Sequence, residues 1–311
     1  MLTRAARPWP GLLLAMAGAI AFSGKAIIVK LAYRYGVDAV TLIMLRMLFA
    51  LPLFVALAWW AGRGKPALTL RDWRAVLLLG FSGYYLASFL DFWGLQYVSA
   101  SLERLILYLG PTLVLLLGRV LFKRRVTPQQ LLPLAISYAG VLLAFGHELQ
   151  LQGANTALGA ALVFASTLSY ALYLLYSGEE VRRLGAPRLT GLATSVACML
   201  CILQFALLRP WHAAFDVAPP VLWLSLLNAT LCTFAPVLMV MMAIERIGAA
   251  MASQAGMIGP LSTIAMSVWL LGESFTAWLA AGTVLVIAGI WLLSRAPAPT
   301  ASKETTHGSG H

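Results

Sequence analysis

Residues 97–111 read YVSASLERLILYLGP and residues 246–260 read RIGAAMASQAGMIGP, and the architecture follows from this pair. The match runs without a gap through 97–145 and 246–294, at an offset of 149 residues. Gly110-Pro111 falls on Gly259-Pro260, Ala100 on Ala249, Thr127 on Thr276, and Ala139-Gly140 on Ala288-Gly289. Apolar runs resemble one another through composition alone, but that does not keep a Gly-Pro pair and a helix-start threonine in register. The chain therefore reads as a duplication, although the first helices of the two halves match only loosely.

Outward from the repeat, the composition says what surrounds it. Of 311 residues, 61% are apolar and 11% charged, with a mean hydropathy of +0.85. Soluble domains carry about twice that charged fraction, so lipid must solvate much of this surface. A helix crossing about 30 Å of hydrocarbon needs roughly 20 residues. Ten segments qualify: 11–33, 38–60, 73–94, 99–122, 128–146, 156–177, 188–208, 218–243, 248–271 and 276–294. The 94–99 and 243–248 turns are the tightest. Arg4 and Arg7 before an apolar run mimic a signal peptide, but the run continues to Val29, beyond a signal's apolar core. It reads as a retained first span. The predicted organisation is an N-terminal segment 1–10, a first five-helix repeat 11–146, a connecting loop 147–155, a second repeat 156–295 and a disordered tail 296–311.

Charge sets the orientation. With a cytoplasmic N-terminus, fifteen cations fall inside: Arg4, Arg7, Arg63, Lys65, Arg71, Arg74, Lys123, Arg124, Arg125, Arg182, Arg183, Arg188, Arg246, Arg295 and Lys303. Only three, Lys30, Arg34 and Arg209, fall outside. That asymmetry places both termini in the cytoplasm and the protein in a bacterial-type inner membrane. Trp59, Trp60 and Trp73 fall at the predicted interfaces, where amphipathic rings belong. The net charge of +11 comes in short bursts between spans, which suits membrane orientation and not nucleic acid. Five spans per half is odd, so the second copy enters from the opposite side. The basic loop Lys123-Arg124-Arg125 accordingly has a cation-free counterpart, Gly272-Glu273-Ser274. The fold class is thus an all-α membrane protein of ten helices in two inverted repeats. Inverted repeats are the architecture of alternating-access carriers, with the site between the halves.

Several short motifs resemble the EamA-type proteins of the drug/metabolite transporter superfamily, in particular its amino-acid and metabolite exporters. Phe22-Ser23-Gly24 followed by Lys30 resembles the family's first-helix Trp-Gly-Ser…Lys, with Phe for Trp. Leu45-Arg46-Met47 resembles its Leu-Arg-Phe. Tyr97–Pro111 and Ile247–Pro260 resemble the paired Ala-Ser…Pro segments, and Gly272-Glu273…Thr276 resembles Gly-Glu-x-x-Thr. The resemblance covers nearly all of 11–294 and implies export of small metabolites. Amino acids, aromatic or neutral ones included, come first; drugs and nucleotide-linked sugars are the alternative cargo. In the first half, Lys123-Arg124 stands where Gly-Glu would be expected.

Intramembrane charge is costly and points to function. Arg46, about 12 Å into the second span, either attracts a carboxylate or serves a structural pair. Lys25, Asp91, Glu103 and Arg104 are candidates for coupling or gating. The plainer reading pairs Asp91 with Arg104 at the outer rim and lets Lys25 snorkel; the sharper one is a proton-coupling carboxylate. Lys30 and Glu273 read as interfacial anchors or loop caps. Candidate cavity residues are Ser23, Tyr84, Tyr85, Ser88, Tyr108, Ser169, Tyr170, Tyr173, Asn228, Thr233, Ser253, Gln254 and Met257. Each hydroxyl or amide deep in lipid needs a partner, in a wet cavity or between helices. Gly110-Pro111 and Gly259-Pro260 should kink their helices, because proline removes a backbone bond.

An intramembrane enzyme needs a nucleophile with a base, paired acids or a metal cluster. His147, His212, His307 and His311 all fall in predicted loops or the tail, so no enzyme, cofactor or metal is expected. Cys198 and Cys201 read as small apolar residues on one helix face. A receptor or assembly subunit would not need the inverted repeat. The expected partners are a small-molecule substrate and the lipid bilayer, with the protein acting as a monomer.

Overall fold

A computed structural model describes residues 9–123, 128–152, 155–256 and 258–295. The spans are α1 (Trp9–Tyr33), α2 (Ala39–Gly62), α3 (Leu70–Gly94), α4 (Ala100–Phe122), α5 (Pro128–Gln152), α6 (Asn155–Leu184), α7 (Ala186–Leu208), α8 (Pro219–Ile244), α9 (Ile258–Leu271) and α10 (Ala277–Arg295). Among the described residues there is no strand. The first eight are long and apolar enough to cross a bilayer, while α9 and α10 contain shorter apolar helices. Leucine, tryptophan and phenylalanine side chains cover the exposed surface, as lipid contact requires. Arg63 lies over the exposed Trp59 ring, 3.8 Å from its centre.

Polar caps start the helices where the sequence permits. Asp38 accepts the Val40 and Thr41 N–H groups at the start of α2. Thr69 and Asp72 form a reciprocal capping box at α3, and Ser99 caps α4.

The packing is two-fold related. Exchange of α1–α5 with α6–α10 carries the α1–α8 contact onto α6–α3, and α1–α9 onto α6–α4. The α2–α7 and α5–α10 pairs map onto themselves. In α2–α7, Asp38 meets Arg209, Met47 meets Cys198 and Ala58 meets Gly191, so these corresponding helices run antiparallel. The α5–α10 pair does the same, with Ser137 against Gly289 and Ala144 against Gly282. Antiparallel counterparts are what inverted repeats produce.

A second symmetric feature was not predicted. Wide π-helical turns occupy Gly80–Leu86 in α3 and Thr230–Phe234 in α8, equivalent positions at the repeat's own offset. Helix α4 is interrupted at Tyr108–Leu109, directly before Gly110. The second half is interrupted at Ser267–Leu271, where α9 closes in another π turn. Met257, beside the second Gly-Pro, lies outside the described residues, as do Thr127 and the 296–311 tail.

The chain reverses at the expected 243–248 turn, but helical backbone in place of a loop runs through it, over Ala235–Gly256. Gly24 lies against Cys232, Gly18 against Met239 and Gly11 against Ile247, so α8 runs antiparallel to α1. Then Gly259 returns to the level of Ser23, and Leu271 to that of Arg34. Connections elsewhere are also more helical than expected, since α5 reaches Gln152 and α6 reaches Leu184.

Candidate functional site: a buried charge cluster

Five charged side chains from four helices meet inside the bundle. Lys25 Nζ of α1 lies 2.5 Å from Asp91 Oδ2 of α3 and 3.2 Å from Glu103 Oε1 of α4. Arg104 Nε is 3.9 Å from Glu103 Oε2, and its Nη2 donates to the Phe22 carbonyl at 3.4 Å. Arg46 of α2 donates from Nε to Thr233 Oγ1 at 3.1 Å and lies over the Phe92 ring, 5.0 Å from its centre. The Phe22 ring, still 42% exposed, lies beside both Lys25 and Arg104. All five charged residues are at most 6% exposed.

Buried ions must find partners or the fold loses several kcal/mol. Here the partnering is incomplete. Arg46 Nη1, Arg104 Nε, Asp91 Oδ1 and both Glu103 oxygens make no hydrogen bond, and neither does Asn228 Oδ1 nearby. Three cations face two acids, which leaves one positive charge in excess, and Arg46 has no carboxylate in contact. Both acids lie on the first repeat. The counterparts of Glu103 and Arg104 across the aligned block are Ala252 and Ser253, so the duplication supplies the frame and one copy supplies the acids.

Two expectations are corrected here. Asp91 pairs with Lys25 and not with Arg104, and Lys25 is buried instead of snorkelling, because the antiparallel packing turns both inward. Glu103 is one turn into α4, Lys25 is eight residues before the end of α1 and Arg46 seven after the start of α2, so the cluster lies about 6–12 Å below the α1–α2 end. Its residues are packed together instead of lining an open chamber.

Beside the cluster, backbone irregularities are stitched by hydroxyls. Pro260 has no N–H to give the Gly256 carbonyl, and the Tyr108 hydroxyl donates to it instead, at 3.0 Å. Ser23 Oγ donates to the Gly259 carbonyl at 2.8 Å. Thr233 Oγ1 takes the Asn228 carbonyl at 2.8 Å inside the α8 π turn, so that turn is what aims Thr233 at Arg46.

Other candidates do not join this group. The Tyr84 and Tyr173 hydroxyls pair at 3.1 Å between α3 and α6, and Tyr170 stacks on Tyr173. Ser169 donates to the Ser82 carbonyl. These are interhelical contacts around the α3 π turn. Tyr85 packs beside Phe81, and Ser88 is half-buried. The side chains of Ser253 and Gln254 lie outside the described residues, like Met257.

A distinct cavity of about 680 Å³ opens at the α1–α2 end, lined by Lys30, Tyr33, Arg34, Gly36, Val37, Asp38, Gln96, Ser99, Leu271 and Glu273. Glu273 accepts from the Ala100 and Ser101 N–H groups and the Ser101 hydroxyl. Glu148 accepts from the Ser99 N–H and hydroxyl. Two carboxylates thus cap the N-terminus of α4, and Glu273 caps a helix of the other repeat, not its own. Burial alone would push the Asp38 carboxyl up, but the Thr41 hydroxyl and N–H, Arg209 and the Val40 N–H together hold it below the usual carboxylate range. This vestibule was not read from the sequence, because its walls come from three separate connections.

The EamA-like transporter family matches this chain twice, over residues 9–146 and 157–295. A protein of Bacillus subtilis (strain 168) named "Uncharacterized transporter YcbK" is 29% identical over 273 residues, 85% of this chain and 86% of its own. An "Uncharacterized transporter" of Archaeoglobus fulgidus is 24% identical over 273 residues, covering 87% and 92% of the two chains. A solved crystal structure shares the fold with a TM-score of 0.61 at 17% identity, over 91% of this chain and 95% of that one.

Proposed function

This chain belongs to the EamA-like transporter family, and on that premise we propose that it exports small metabolites, amino acids foremost, by alternating access. The two inverted halves rock about the buried cluster and expose it to one face, then the other. The observation that supports amino acids is the cluster's unmet bonding capacity of both signs. Arg46 Nη1 and Arg104 Nε donate no hydrogen bond, and Asp91 Oδ1 and the Glu103 oxygens accept none, although Glu103 stays within ion-pair reach of Lys25 and Arg104. A zwitterion brings a carboxylate for the first pair and an ammonium for the second. Its carboxylate also meets the excess positive charge. Phe22 and Tyr108 leave apolar and aromatic surface for a neutral or aromatic side chain. By the cation count, the α1–α2 end faces outward from the cytoplasmic membrane, with both termini inside. The bundle works as a monomer.

Purified protein in proteoliposomes, offered a panel of labelled amino acids with and without a pH gradient, tests this. Movement of at least one amino acid is expected; if none moves or competes, the amino-acid assignment fails. Arg46→Ala should slow a transported amino acid about ten- to a hundredfold, the worth of a charged hydrogen bond. The same variant should barely affect the matching amide, which lacks the carboxylate. Equal loss for both would make Arg46 structural.

A further inference from the structure

The vestibule at the α1–α2 end holds two acids and two cations on its walls, yet only the cations are uncommitted. Asp38 is engaged by the first N–H groups of α2, by the Thr41 hydroxyl and by Arg209. Glu273 is engaged by the first N–H groups of α4. A helix N-terminus carries about half a positive charge, so both carboxylates are largely offset where they sit. Lys30 and Arg34 are held differently. Lys30 Nζ donates to the Leu95 carbonyl at 3.1 Å, and Arg34 Nη2 to the Leu271 carbonyl at 2.7 Å. Among the described residues no carboxylate lies in ion-pair contact with either, although Glu273 and Glu148 act on Lys30 through space. An ammonium has three donors and a guanidinium five, so most of this capacity is unused. The two carbonyls close other helices, Leu95 after α3 and Leu271 at the end of α9, and a charged acceptor entering the vestibule would compete with both.

We propose that this vestibule is a second binding site, for the carboxylate group of a small solute, with Lys30 and Arg34 as its ligands. It is a transit site above the buried cluster, separated from it by about one helical turn of α4, from Ser99 to Glu103. A carboxylate there competes for the donors that Leu95 and Leu271 hold, because a charged acceptor is the stronger one. The net balance of the walls keeps affinity low, as a site that must pass its occupant onward requires. The carboxylate chemistry rests on the reading of the cargo given above, but the vestibule can be tested without any transport.

The single substitution Gln96→Cys puts a thiol on the vestibule wall, and His212→Cys puts one on open surface at the same end. The native thiols Cys198, Cys201 and Cys232 are buried. Labelling rates are measured for a sulfonate-bearing and a trimethylammonium-bearing methanethiosulfonate at fixed ionic strength. The anionic-to-cationic rate ratio at the Gln96→Cys thiol should exceed that at the His212→Cys thiol by about two- to threefold, because helix N-termini offset the two carboxylates while Lys30 and Arg34 remain available to an anion. Lys30→Gln with Arg34→Gln should bring the two ratios together. Propionate should slow the vestibule reaction and propionamide should not. Equal ratios at the two thiols, or a ratio unmoved by the double substitution, would overturn the site. Loss of amino-acid flux with this labelling pattern intact would instead count against the buried cluster.

Discussion

Tyr108 illustrates how a single hydroxyl stands in for a missing backbone donor. The Gly256 carbonyl closes the Ala235–Gly256 helix and Pro260, four residues on, has no N–H to offer it, so the phenol from the other repeat supplies the bond. Tyr108→Phe should therefore cost about 1–3 kcal/mol, the penalty of a buried orphan acceptor. Pro260→Ala restores the N–H, so adding it to Tyr108→Phe should recover most of that loss. A thermal-melting double-mutant cycle in detergent checks this, and additive losses would sink it. Residue-level expectation from sequence was uneven. Arg46 was recognisable as an intramembrane charge, but its partner Thr233 lies 187 positions away. The Lys25–Asp91 pair was misassigned because sequence gives a residue's depth along its helix but not the direction it faces.

Helices α5 and α10 meet through glycines. A Cβ on Gly140 would stand 2.6 Å from the Gly282 carbonyl oxygen, and one on Gly282 would stand 2.6 Å from that of Gly140. Small residues let membrane helices approach this closely. Gly140→Ala and Gly282→Ala should each lower the melting temperature, by similar amounts because each new Cβ would meet the other residue's carbonyl oxygen at the same distance. The loss should correspond to about 1–3 kcal/mol of overpacking. Gly178→Ala, with open space at its Cβ, should be neutral. A thiol-reactive dye on the buried native cysteines can follow all three, and a neutral Gly282→Ala would contradict the contact. Spans were legible from hydropathy, and the Gly-Pro pairs marked the repeat. The π turns were not, because Gly80–Leu86 and Thr230–Phe234 share no residue pattern and are set by what packs against them.

For the whole molecule, topology is the decisive property. Two five-helix halves in opposite senses predict both chain ends on one side of the membrane, so reporter tags at the two termini should have the same accessibility. Opposite accessibility would undo the outward assignment of the vestibule along with the exporter reading. What the sequence determined unaided was a helical membrane protein, its duplication and the inverted sense of its halves. Those depend on the length and spacing of apolar runs, on the cation asymmetry and on register, all properties of position along the chain. Only the tertiary structure decided which charges meet and that the open cavity lies at one end. Those depend on helix rotation and on contacts between residues far apart in sequence, where burial and hydrogen bonding choose among faces that hydropathy leaves equivalent.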